Sequence, residues 1–146
     1  MAFLSSMNIS GSGMTAQKLR MDIIAENISN IDTTRTEKGG PYVKKSVVFQ
    51  SIEDNNFKSQ LDKSMGKNSP KAGVKVTAIV EDETPFKMVF NPTHPDADEN
   101  GYVQMPNVDL IKETTDSMEA TRAYEANITA FNAVKLMATK ALEIGR

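Results

Sequence analysis

All six prolines of this 146-residue chain lie in its middle, at Pro41, Pro70, Pro85, Pro92, Pro95 and Pro106. Proline removes a backbone donor and clashes with the preceding turn, so it interrupts helices. Residues 1–40 and 107–146 are therefore free to form long helices, while the segment between them is not.

Both ends carry helical periodicity. Met7, Met14, Met21 and Ile28 recur every seven residues, with Phe3, Ser10, Gln17, Ile24 and Ile31 at the offset positions. This is a coiled-coil seam. Gly11 and Gly13 each weaken a helix by about 1 kcal/mol, which places the expected start near Met14. Asn30 is expected to end it in a left-handed conformation.

At the other end, Asn107 or Asp109 can cap a helix that follows Pro106. Two adjacent seams then run to the C-terminus. One is Thr121, Tyr124, Ile128, Phe131, Lys135, Ala138 and Leu142; the other is Ala120, Ala123, Asn127, Ala130, Val134, Met137, Ala141 and Ile144. A helix over 109–144 would be roughly 50 Å long.

The middle reads as β. Tyr42 to Phe49 is rich in Val and aromatics, and Val74 to Val80 alternates with period two. Glu81 to Pro85 reads as a turn, with Phe86, Met88 and Phe90 as the second arm of a hairpin. Tyr102 and Val103 suggest a further short strand. Ser51 to Lys71, full of Ser, Asn, Asp and Lys, is expected to be an irregular loop or a short exposed helix. The expected fold is thus α+β. Residues 1–35 and 107–146 form an antiparallel coiled coil, and 36–106 form a small β-rich middle.

Composition narrows the chemistry. Seventeen Lys and Arg against nineteen Asp and Glu give a net charge of −2, without the basic excess of a nucleic-acid binder. There is no Cys and only one His, so thiolate metal sites, cysteine nucleophiles and histidine pairs are excluded within the chain. The longest apolar run is Met1 to Leu4, too short to span a membrane. Met1 to Ser12 also lacks the pattern of a cleaved signal peptide.

Several motifs are decoys. Gly11-Ser12-Gly13-Met14-Thr15-Ala16 fits a dinucleotide fingerprint, but no strand-like segment precedes it. Asp96-Ala97-Asp98-Glu99-Asn100-Gly101 opens like a calcium loop. Asn107 stands where the bidentate Glu should be, and Pro92 and Pro95 forbid the entering helix. His94 has no second histidine and reads as a packed or hydrogen-bonded loop residue. Three glycosylation sequons, at Asn8, Asn27 and Asn127, read as coincidences. The lysines of the middle read as solvated surface. No catalytic residue, metal site or cofactor is expected.

What remains is the helix pair. Its C-terminal face is wider than one partner helix can cover, and an exposed apolar strip marks an interaction surface. The expected assembly interface is Met7, Met14, Gln17, Met21, Ile24, Ile28 and Ile31 from the first helix. From the second it is Tyr124, Asn127, Ile128, Phe131, Val134, Met137 and Leu142. Gln17 and Asn127 are the uncharged polar residues within these seams. Nearly aligned helix ends would bring them to similar height, where they could fix register.

These residues also resemble a known family. Ser10 to Gln17, then Arg20-Met21, then Asn27-Ile28-Ser29-Asn30, is similar to the N-terminal signature of the axial proteins of the bacterial flagellum. Gly40-Pro41-Tyr42 with Val47-Val48-Phe49-Gln50, Asn91 to Asp98, Gly101-Tyr102-Val103 and Pro106-Asn107-Val108 resemble a proximal-rod subfamily. So do Ala120 to Asn127 and Lys140 to Gly145. The chain departs from the pattern at Glu26, Ser29 and Thr93, and Ser51 to Lys71 is unmatched.

The resemblance implies a structural rod subunit of the basal body. Its terminal helices would form an inner layer around the export channel, and its β part would lie outside. It implies export unfolded through the flagellar type III apparatus, without a cleaved leader, and head-to-tail assembly into a helical, torque-bearing tube. The implied partners are copies of itself, proximal-rod siblings, the adaptor at the membrane ring and the distal rod. No nucleic acid, membrane span or cofactor is implied. Two readings from other classes compete. One is a non-catalytic coiled-coil adaptor or secreted interaction protein. The other is a small enzyme or ligand-binding domain, which a pocket lined by His94, Asp96 and Asp98 would favour.

Overall fold

The computed structural model describes residues 2–37, 39–52, 61, 64–65 and 73–144. Most of the expected Ser51–Lys71 loop therefore lies outside the described residues. Two long helices are joined by a β-rich middle, as the α+β expectation has it. Helix α1 spans Ala2–Ser29 and helix α2 spans Leu110–Ile144. Between them lie strands β1 (Lys45–Ile52), β2 (Gly73–Glu81), β3 (Lys87–Phe90) and β4 (Tyr102–Met105).

α1 begins twelve residues before the expected Met14, running straight through Gly11 and Gly13. Packing against α2 outweighs the propensity cost of two glycines. Hydroxyls also tie the turns on either side of Gly11. Ser12 Oγ donates to Ile9 O at 2.8 Å and Thr15 Oγ1 donates to Gly11 O at 3.1 Å. At the far end, no non-glycine residue is left-handed among the described residues, so Asn30 does not cap α1 as expected. Instead Asn30 donates to Glu26 O from both its backbone N (3.2 Å) and its Nδ2 (2.9 Å). α2 starts at the expected cap: Asp109 Oδ1 accepts from Ile111 N at 3.0 Å. At 35 residues α2 is roughly 50 Å long.

The helices run antiparallel. Asn27 meets Glu113, Arg20 meets Asp116, Met21 meets Thr121 and Gly13 meets Asn127. This register sets Ala2 opposite Ala138, so residues 139–144 run past the described start of α1.

The expected hairpin of β2 with β3 does not form. β2 pairs antiparallel with β1, from Lys45↔Glu81 to Ile52↔Gly73, with a bulge at Val48/Phe49. β3 pairs antiparallel with β4, from Lys87↔Met105 to Phe90↔Tyr102. The physical reason lies in the connection. Thr84 N turns back to Asp82 Oδ1, and Asn107 Nδ2 donates to the carbonyls of Asp82 and Thr84, each at 3.2 Å. Pro85 supplies no donor, so the ladder cannot continue across the turn.

The β1–β2 hairpin lies along α1 and is fastened at both ends. Ser12 Oγ accepts from Val74 N at 3.0 Å, and Asn27 holds the start of β1. Ser12 to Asn27 covers about 22 Å of helix, and β1 covers about 26 Å of strand. α1 packs on α2 and on the β1–β2 pair, and the buried apolar residues are few. Among the described residues they are Ala16, Ile23, Ile24, Tyr42, Val103, Val108 and Ala120.

Candidate functional site

The half-buried and buried positions of α2 trace one narrow seam: Glu113, Asp116/Ser117, Ala120, Ala123/Tyr124, Asn127/Ile128, Phe131, Val134 and Ala138. Steps of three and four place these residues on one face, so α2 presents one coiled-coil stripe to α1. Of the expected interface, Met7, Met14, Gln17, Met21, Ile28, Ile31, Tyr124, Asn127, Ile128, Phe131 and Val134 are half-buried, and Ile24 is buried. Met137 and Leu142 are 53% and 78% exposed, with Leu136 beside them at 61%. Leu142 lies beyond the register of α1.

Gln17 and Asn127 do not meet. Asn127 packs against Gly13, one turn away, where a Cβ would lie 3.0 Å from Asn127 Oδ1. Asn127 Nδ2 donates along its own helix to Ala123 O at 2.8 Å. Gln17 Oε1 is buried without a hydrogen-bond partner. The glycine thus makes room for the amide, and nearly aligned ends misjudged the stagger by one turn.

The strongest polar feature was not singled out from the sequence. Asn27 is 1% exposed and uses its whole amide. Its Nδ2 donates to Lys45 O at 2.8 Å and to Glu113 Oε2 at 3.0 Å. Its Oδ1 accepts from Lys45 N and from Tyr42 OH, both at 3.0 Å. Glu113, also 1% exposed, has its other oxygen 2.6 Å from Lys44 Nζ. Lys44 N in turn donates to Asn107 Oδ1 at 2.9 Å. One cluster therefore joins the end of α1, the start of β1, the start of α2 and the turn after β2. Each member has a hydrogen-bond or ion-pair partner, with Glu113 Oε1 held by the Lys44 charge alone, the condition under which burying polar groups is tolerable. Burial, and then the charges of Glu26, Glu113 and Glu81, push the Tyr42 phenol up to about 12. A cleft beside this cluster is lined by Arg20, Lys44, Lys45, Phe49, Glu113 and Asp116. Its charges pair internally: Arg20 with Asp116 at 3.0 Å, Lys44 with Glu113, and Lys45 with Glu26.

The loop motifs do structural work. His94 Nδ1 accepts from Asp96 N at 3.1 Å, and Asp96 Oδ2 accepts from Thr34 Oγ1 at 2.8 Å. A shallow cleft there takes in Asp96 and Asp98 with Thr34 and Arg35, but not His94. Gly11 to Ala16 lies inside α1, not after a strand. Among the described residues, no three His, Asp or Glu side chains come together to hold a metal, and no helix is long and apolar enough to cross a membrane.

Paired terminal helices along an apolar seam, with exposed apolar side chains on the last turns of the second, are a structural arrangement. Comparison with known proteins gives the class. Residues 7–35 match the family described as flagella basal body rod protein, and residues 99–144 match the flagellar basal body rod FlgEFG protein C-terminal family. The flagellar basal-body rod protein FlgC of Bacillus subtilis is 47% identical, with both chains fully covered. Those of Salmonella typhimurium and Borreliella burgdorferi are each 40% identical, the first over the whole of both chains and the second over 99% of this chain and 98% of its own. The chain belongs to the FlgC family of flagellar basal-body rod proteins and is a structural subunit of the rod.

Proposed function

We propose that this subunit builds the proximal rod. Copies and their rod siblings dock through the terminal helices into a helical tube that surrounds the export channel and carries torque. The observation that carries the reading is the exposed apolar end of α2. Leu136, Met137 and Leu142 are exposed on the last turns of α2, and Leu142 lies past the described start of α1. Exposed apolar side chains clustered at a helix end are satisfied by a neighbour. A head-to-tail contact that does not close on itself generates a helix instead of a ring. Met7, Met14 and Met21 suit the role, because unbranched methionine adapts to slightly different neighbours.

The partners under this reading are further copies, the other proximal-rod proteins, the adaptor at the membrane ring, the distal rod and the type III export apparatus. The chain performs no catalysis. Residues 1–35 and 107–146 act as the assembling unit, and 36–106 form its outer part.

The test is Met137→Asp with Leu142→Asp in cells lacking the native copy. The variant is expected to be exported and to fail to enter purified basal bodies. Normal incorporation would overturn the reading. Loss of incorporation together with ordered, monomeric helices in dilute solution would favour the adaptor alternative.

A further inference from the structure

The heptads of α1 pose a problem of register. Met7, Met14, Met21 and Ile28 are near-equivalent, so sliding α1 by seven residues would present almost the same apolar seam to α2. A second row of the interface does not repeat in this way. On α1 it reads Gly13, Arg20, Asn27; on α2, running the other way, it reads Asn127, Ala120, Glu113. Gly13 leaves the space that Asn127 fills. Asn27 donates to the Glu113 carboxylate, which Lys44 neutralises. Between them Arg20 turns aside to Asp116 over Ala120, which is fully buried.

We propose that this row is the device that sets the α1–α2 register, with the Asn27–Glu113 contact as its specifying element. A slip of seven in one direction brings Arg20 onto Asn127, where the observed partner is a glycine, and leaves Asn27 beside Ala120 without an acceptor. A slip in the other direction carries Asn27 beyond the start of α2 at Leu110 and sets Arg20 in the pocket of Glu113. In either case buried polar groups lose their partners, a cost the methionine row does not impose. A single polar contact that excludes alternative alignments is a known use of buried polar groups in coiled coils. The proposal holds whether or not the chain enters the proximal rod.

The chain has no native cysteine, so introduced thiol pairs report register unambiguously. Met21 Sδ lies 3.5 Å from Thr121 Oγ1, which makes Met21→Cys with Thr121→Cys the reporter of the observed alignment. Met14→Cys with Thr121→Cys, and Ile28→Cys with Thr121→Cys, report slips of seven. Oxidative cross-linking of the full-length chain is read in two backgrounds, the parent and Asn27→Leu with Glu113→Leu. In the parent, the Met21 pair is expected to exceed either slipped pair at least tenfold. In the double variant the melting temperature falls, because Lys45, Tyr42 and Lys44 lose partners, but below it helix content by circular dichroism is expected to persist on the unchanged apolar seam, and the preference to fall below threefold. An unchanged preference in the double variant would overturn the proposal. So would loss of its helices, which would make the contact a requirement of stability instead of alignment. Failure of the Met21 pair to form in the parent would overturn it as well.

Discussion

The side chain of Asn27 pairs with the backbone of Lys45 as a neighbouring strand would. Its Nδ2 donates to Lys45 O at 2.8 Å, and Lys45 N donates to its Oδ1 at 3.0 Å. A helix thereby closes the exposed end of a strand without a third strand, and the same amide still reaches Tyr42 and Glu113.

Asn27→Ala leaves a backbone donor, a backbone acceptor, a phenol and a carboxylate short of a partner. At about 0.5–1 kcal/mol per lost hydrogen bond, the loss is expected to be about 3 kcal/mol. For a chain of this size that lowers the melting temperature by about 6–12 °C in circular dichroism. A change below 2 °C would mean that water replaces the amide freely.

Lys44→Met strands the buried Glu113 charge and is expected to cost about 3–5 kcal/mol. Lys44→Met combined with Glu113→Gln is expected to recover at least half of that, because the charge is gone while an acceptor for Asn27 remains. Additive losses in urea denaturation would contradict the pairing.

Two glycines in one helix are expected to respond oppositely. Gly11 has open space around it, so Gly11→Ala gains about 0.5–1 kcal/mol from helix propensity. Gly13→Ala gains the same propensity but presses on Asn127, for a net loss of about 1 kcal/mol. Asn127→Ala in the Gly13→Ala background is expected to restore stability. Thermal melts of the four chains decide the matter.

Gly73 sits at φ 140°, and a side chain there would collide with Ser12 Oγ, the acceptor for Val74 N. Gly73→Ala is expected to cost about 2 kcal/mol or more and to release that end of the hairpin. Amide hydrogen exchange should then quicken at Val74 and Val76 while Lys45 stays protected.

The Tyr42 phenol gives a test in alkali. Its folded pKa, about 12, lies above the ordinary 10.0, so folding favours the neutral form. The stabilisation is intact below pH 10 and is lost as pH rises from 10 through 12. Absorbance titration is expected to show one tyrosine ionising near 12 that Tyr42→Phe removes. Between pH 10 and 12 the stability of the parent is expected to fall faster than that of Tyr42→Phe.

Periodicity made the helices legible, because a heptad constrains one face of one element. It made the strands legible for the same reason, as Val74 to Val80 shows. Partner choice was not legible. The pairing of β2 with β1 depends on how Asn107, distant in sequence, braces the carbonyls of Asp82 and Thr84. The polar cluster lay in plain view yet unread. Asn27 stood inside a family signature, and Glu113 lies seven residues before Ala120, so extending that seam backwards reaches it. A carboxylate on an apolar seam was the available signal. Its meaning depends on Lys44, which only the folded chain brings near.

Because Ser12 and Asn27 fasten both ends of the β1–β2 ladder alongside α1, any curvature in that stretch of helix must stretch cross-strand hydrogen bonds. The hairpin is a splint. Stiffness here belongs to helix and sheet jointly, and loosening either knot would soften the molecule along its length without unmaking either element.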